Sequence, residues 1–214
     1  MTPKILAAPA TLTLFMATIV SYLIQIVVGG DIVVRALGLI PARVSEPFTL
    51  TAIGQPIPAW LTLFTYMFPH GGWWHIAMNM AGLWFFGRLA EPIMASVRLL
   101  LTYLASGVFT GLVIILLGRH WTTPVAGASG AICGLLGAFM AIRLPRWPIL
   151  DPRNIAILAV EGISTISVTS WFLVRTPPRM PDRMSALMWH LIPFLTAWII
   201  VRISRQIGGM RKED

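Results

Sequence analysis

The chain has 214 residues, 57% of them hydrophobic and only 11% charged, with a mean hydropathy of +0.78. Soluble domains hold roughly 45–50% apolar and about a quarter charged residues, so a water-soluble globule is excluded. The net charge of +8 comes from 16 basic and 8 acidic residues, but the basic residues punctuate apolar runs; they read as membrane-orientation signals, with no nucleic-acid partner implied.

An ion at mid-bilayer costs at least about 2 kcal/mol, so gaps between charges mark membrane spans. Six such gaps are present. The first, Ile5 to Gly30, is too long for a signal-peptide core and lacks a small-x-small cleavage site, so it is predicted to remain as an anchor. The second, Pro47 to Gly87, carries Pro47, Pro56, Pro58 and Pro69; its first half is predicted to be an irregular or surface-lying loop, with a span after His70. The remaining runs are Leu99 to Gly118, His120 to Ile142, Asn154 to Val174 (broken only by Glu161) and Met184 to Val201. The expected organisation is an N-terminus and first span over 1–30, an outer loop over 31–70, a core of five spans over 71–202 and a basic tail over 203–214.

Six spans place both termini on one side of the membrane. Of the 16 basic residues, six (Arg35, Arg43, Arg119, Arg175, Arg179 and Arg183) fall in the opposite loops, leaving ten on the terminal side. That bias favours cytoplasmic termini. Trp60, Trp73, Trp74, Trp121 and Trp189 then collect near the outer interface, where amphipathic rings are favoured. Glu161, near the middle of the fifth span, is predicted to face the bundle, neutral or hydrogen-bonded, and to influence movement of that span.

With this topology, spans 2, 4 and 6 enter from outside at about Gly71, Val125 and Met184. His75, Ser129 and His190 each lie only about 6–10 Å along their helices from those points. Taken singly, each has a packing explanation: Ser129 sits among the small residues Gly127, Ala128 and Gly130, and an interfacial histidine can bond a headgroup or loop carbonyl. Together at one depth they read as a nucleophile and a general base, because a serine hydroxyl is a weak nucleophile until an imidazole accepts its proton. Ser129 in the first turn of span 4 also adds unpaired backbone N–H groups suited to an oxyanion. His75 and Asn79, four apart, share a helical face and offer two further donors. Neither an HExxH zinc motif nor a pair of intramembrane aspartates is present, and the single cysteine excludes a CxxC motif.

These residues resemble the rhomboid family of intramembrane serine proteases. The resemblance runs from about Trp60 to Arg202. His70, His75, Asn79, Gly87 and Glu91 fall at the family's spacings in span 2, Gly127-Ala128-Ser129-Gly130 matches its G-x-S-G pattern with Gly134 and Gly137 following, and His190 stands at the outer start of span 6. The sequence departs from the pattern at Cys133, where an aromatic is common one turn after the serine, and at Trp189, Pro193 and Ala197 of span 6.

The resemblance implies an all-α, six-transmembrane-helix bundle whose cavity opens to the outer face, in a multi-pass protein of a bacterial plasma (inner) membrane. It implies a Ser129–His190 dyad, an oxyanion site formed by the Ser129 N–H with His75 and Asn79, and a structural Glu91. His70, Gly127, Gly130 and Cys133 stand as structural neighbours of that site. The implied partners are transmembrane protein substrates and membrane lipids, with no cofactor and no metal. A non-proteolytic rhomboid-like scaffold that binds membrane helices is the alternative, against which the retained Ser129, His190 and Asn79 weigh.

Overall fold

The computed structural model describes residues 8–45 and 56–143, together with Leu195. Within them the chain is helical: α1 Pro9–Val28, α2 Gly30–Leu37, α3 Pro41–Ser45, a 3₁₀ turn Ala59–Leu61 leading into α4 Thr62–Thr65, then α5 Trp73–Met94, α6 Ser96–Leu117 and α7 Ser129–Arg143. α7 packs on α6 and α5, and α1 packs on α5 and α6. Apart from Leu195, the predicted spans 5 and 6, with Glu161, Trp189, His190 and Pro193, lie outside the described residues.

The assembly has an apolar exterior around a core that is itself mostly apolar, as at Leu83, Tyr103 and Leu135, with several polar groups set into it. Apolar side chains face outward along α1 and α6, with Val27 86% and Leu116 77% exposed, whereas Thr11, Thr18, Gln25, Asn79, Glu91, Ser106 and Thr110 are buried. Such an exterior is stable against lipid rather than water, and each buried polar group must then find a partner inside. Thr18 and Thr110 solve this by donating to the carbonyls one turn earlier, Leu14 and Ser106. By length and composition α1 and α6 are able to cross a bilayer. Trp60 and Trp73 project from the segments flanking the start of α5, 62% and 71% exposed.

Three boundaries differ from the sequence expectation. The described residues of the segment 31–70, expected as an outer loop, are partly helical: after Gly29, whose φ of +117° ends α1, the chain restarts at once as α2. α5 does not stop near Gly87 but continues through Arg88, Glu91 and Pro92. There the Arg88 guanidinium lies 4.5 Å from the centre of the Trp84 ring, and Glu91 is buried with four hydrogen bonds. Its carboxylate accepts from Ala10 N and Ser96 Oγ at Oε1 (2.8 and 2.6 Å) and from Thr11 N and Oγ1 at Oε2 (2.9 and 2.7 Å). An acid on α5 therefore caps the N-terminus of α1, where N–H groups lack intrahelical partners. Finally, α7 begins only at Ser129 rather than near His120 or Val125.

The last difference has a physical cause. Residues 118–128 form a turn and an irregular segment held by loop-to-loop bonds: Leu39 and Val125 exchange both backbone hydrogen bonds (2.9 and 2.8 Å), Ala42 N donates to Trp121 O, and Ser45 Oγ donates to Arg119 O. Pro124 also disfavours helix for the residue before it. The loop after α2 thus acts as a strap across the approach to α7.

Candidate active site

Ser129 is the first residue of α7 and half-buried. The first intrahelical bond of α7 runs from Ile132 N to Ala128 O, so Ser129, Gly130 and Ala131 carry the N–H groups that a helix start leaves without intrahelical acceptors. The preceding turn is fixed by Gly127, whose φ of +129° suits only glycine, and whose N–H donates to Tyr66 O at 2.8 Å. Tyr66 is itself anchored by its hydroxyl, which donates to Gly107 O on α6 at 2.7 Å. Burial pushes the Tyr66 phenol well above its ordinary pKa, so it remains a donor. On the other side Gly130 faces Thr110 of α6, and a Cβ at Gly130 would fall 2.6 Å from Thr110 Oγ1. Close approach of α6 and α7 therefore sets the position of the serine.

His75, in the first turn of α5, lies against this turn. A Cβ on Gly127 would sit 2.6 Å from His75 Cε1 and 2.8 Å from Nε2. At the opposite edge of the ring, Nδ1 accepts the Gly71 N–H at 3.3 Å. An accepting Nδ1 has no proton, so the neutral ring carries its proton on Nε2, the nitrogen facing Gly127. Asn79 is buried one turn further along α5, and one N–H of its amide donates to His75 O at 2.9 Å; an amide nitrogen has a second N–H to offer.

His70 supports His75 from the side. Its ring is fully buried, with centres 5.0 Å from His75 and 6.5 Å from Tyr22, both edge to face. Nδ1 donates to Phe68 O at 2.9 Å, and Nε2 has no partner among the described residues. Burial lowers its pKa to about 4, with the Phe68 carbonyl opposing the shift, so the ring is neutral at physiological pH. Cys133, one turn after Ser129 on α7, is buried.

The structure thus gathers His70, His75, Asn79, Gly127, Ser129, Gly130 and Cys133 into one region at the starts of α5 and α7. His190 lies outside the described residues. Sequence reasoning missed Gln25, whose side-chain amide binds the backbone of His70 twice: Nε2 donates to His70 O at 2.5 Å and Oε1 accepts from His70 N at 3.0 Å. The available signal was a lone carboxamide in an apolar span, where polar groups are costly unless they have a task.

The Rhomboid domain family matches residues 58–206, well over half of the chain. The chain belongs to the rhomboid family. It is accordingly an integral membrane protein. Among curated relatives, Rhomboid protease GluP of Bacillus subtilis (strain 168) is 39% identical over 85 residues, 40% of this chain and 16% of that protein. RHOMBOID-like protein 1 of Arabidopsis thaliana is 36% identical over 106 residues, 50% of this chain and 27% of the relative. RHOMBOID-like protein 5 of the same plant is 30% identical over 113 residues, 53% and 37% of the two chains. The chain therefore spans well under half the length of these relatives.

Proposed function

We propose that this chain is an intramembrane serine endopeptidase that cleaves single-span membrane proteins near the outer membrane face. Ser129 Oγ attacks the scissile carbonyl carbon while His190 takes the hydroxyl proton. The resulting oxyanion is bound by the Ser129 N–H, His75 Nε2–H and the Asn79 amide. The C–N bond then breaks as His190 returns the proton to the leaving amine; water, deprotonated by His190, attacks the acyl ester and releases Ser129.

One observation carries the reading. With its Nδ1 accepting the Gly71 N–H, His75 holds its Cε1–Nε2 edge against Gly127, two residues before a serine at a helix N-terminus. Donors fixed before the reaction stabilise developing charge without reorganisation. The printed name of the GluP relative, a rhomboid protease, supports the same class. In this reading the chain has six spans with cytoplasmic termini, which places His75 and Ser129 at the outer face of a bacterial plasma membrane.

The test is cleavage of a single-span reporter by the purified protein. Ser129→Ala, His190→Ala and the double mutant should be equally inactive, because nucleophile and base act as one unit. A serine-directed phosphonate should label Ser129 only when His190 is present. Full cleavage by folded Ser129→Ala would refute the proposal, and reporter binding without any cleavage by the wild-type protein would favour the scaffold alternative.

A further inference from the structure

We infer that Gln25, on α1, is a positioning residue that sets the tautomer of His75 through the peptide joining His70 to Gly71. The inference rests on the reading of His75 as an oxyanion donor.

Gln25 is 5% exposed and grips His70 by both backbone groups, donating to its carbonyl and accepting from its N–H. That carbonyl and the Gly71 N–H belong to one planar peptide unit. Fixing the oxygen therefore fixes the direction of the hydrogen, and the Gly71 N–H is the group that donates to His75 Nδ1. A hydrogen bond accepted at the carbonyl also polarises the peptide, making its N–H a stronger donor. The line of bonds thus runs from the Gln25 amide, across one peptide, to the far edge of the His75 ring, whose Nε2 edge lies at Gly127. A ring in the other tautomer would carry its proton towards Gly71 N–H, donor against donor, and would offer a lone pair where an oxyanion develops.

The deciding measurement is nitrogen NMR of labelled histidine in the full-length protein, which has four histidines. The His75 proton should reside on Nε2 in the wild type. In Gln25→Leu the two tautomers should mix, and kcat on the reporter should fall about 3- to 30-fold with KM unchanged, as misplacement of a positioned donor implies. Gln25→Glu should behave as wild type while its carboxyl is protonated, because that group offers the same donor and acceptor. Raising the pH until the carboxyl ionises should lower kcat and the Nε2-protonated population together. If Gln25→Leu does not fold, the wild-type tautomer and this titration still decide. A wild-type His75 protonated on Nδ1, or a Gln25→Leu protein with tautomer and kcat both unchanged, overturns the inference. Failure of the protease reading is seen separately, as wild-type protein that the phosphonate does not label at Ser129.

Discussion

The ring of His75 occupies the space that a side chain on Gly127 would need, with Cε1 only 2.6 Å from where a Cβ would stand. The position also holds a positive φ of +129°. Gly127→Ala should therefore strain the turn by about 1–3 kcal/mol and push the imidazole aside. We expect a folded protein whose kcat on a single-span reporter falls at least about 10-fold with little change in KM. Wild-type turnover by this variant would show that contact between ring and turn is irrelevant to the chemistry.

Glu91 is the second point at which one substitution should be felt widely. Its carboxylate accepts four hydrogen bonds from Ala10, Thr11 and Ser96, whereas a carboxamide would turn a donor towards one pair of those donors. Glu91→Gln should lower stability in detergent by about 2–4 kcal/mol. Thr11→Val should add little in the Glu91→Gln background, since the two share one network. Full additivity in that double-mutant cycle would contradict the shared cap.

His70 makes a prediction in pH. Its folded pKa of about 4 lies below the ordinary imidazole value of about 6.5. Between those values the unfolded chain binds a proton that the folded chain does not, so stability rises with pH across the window and falls as the protein is acidified from about 6.5 to 4. The total change is about 3 kcal/mol, flat below about pH 4. His70→Asn, which keeps a donor for the Phe68 carbonyl but cannot titrate, should remove most of this slope from unfolding midpoints measured across the range. An unchanged slope would assign the dependence to another group.

Ala95 joins α5 to α6 with a φ of +65°, a conformation that costs a residue with a β-carbon about 1–3 kcal/mol. Ala95→Gly should raise the unfolding midpoint by the equivalent of about 1 kcal/mol, after the added flexibility of the unfolded chain is discounted. A lower midpoint would mean that the Ala95 methyl contributes more by packing than its backbone loses.

Much of this arrangement was legible from residue types and spacing. His75 and Asn79 on one helical face, and Ser129 in a first turn, follow from the 3.6-residue period and from glycine placement. Glu91 as a structural residue came from the family resemblance alone, and its partners on α1 came only with the fold. Two things could not be read in advance. The late start of α7 depends on the pairing of Val125 with Leu39, and no local pattern announces a bridge between distant loops. The role of Gln25 depends on where the peptide after His70 falls, which is set by packing of α1 against α5. Charge gaps also misplaced the end of α5, because Arg88 and Glu91 count as breaks in a hydropathy reading while the fold satisfies both in place.

The bridge between Leu39 and Val125 bears on how the molecule is made. The segment that leads into Ser129 has its partner at Leu39, with α5 and α6 lying between them in sequence. In a protein inserted from its N-terminus, those two helices must enter the bilayer before Leu39 can meet Val125. Contacts of such sequence separation form late in assembly. The Ser129 turn should therefore take its final shape only after the surrounding helices are in the membrane, so that under the proposed mechanism a half-inserted chain lacks its nucleophile.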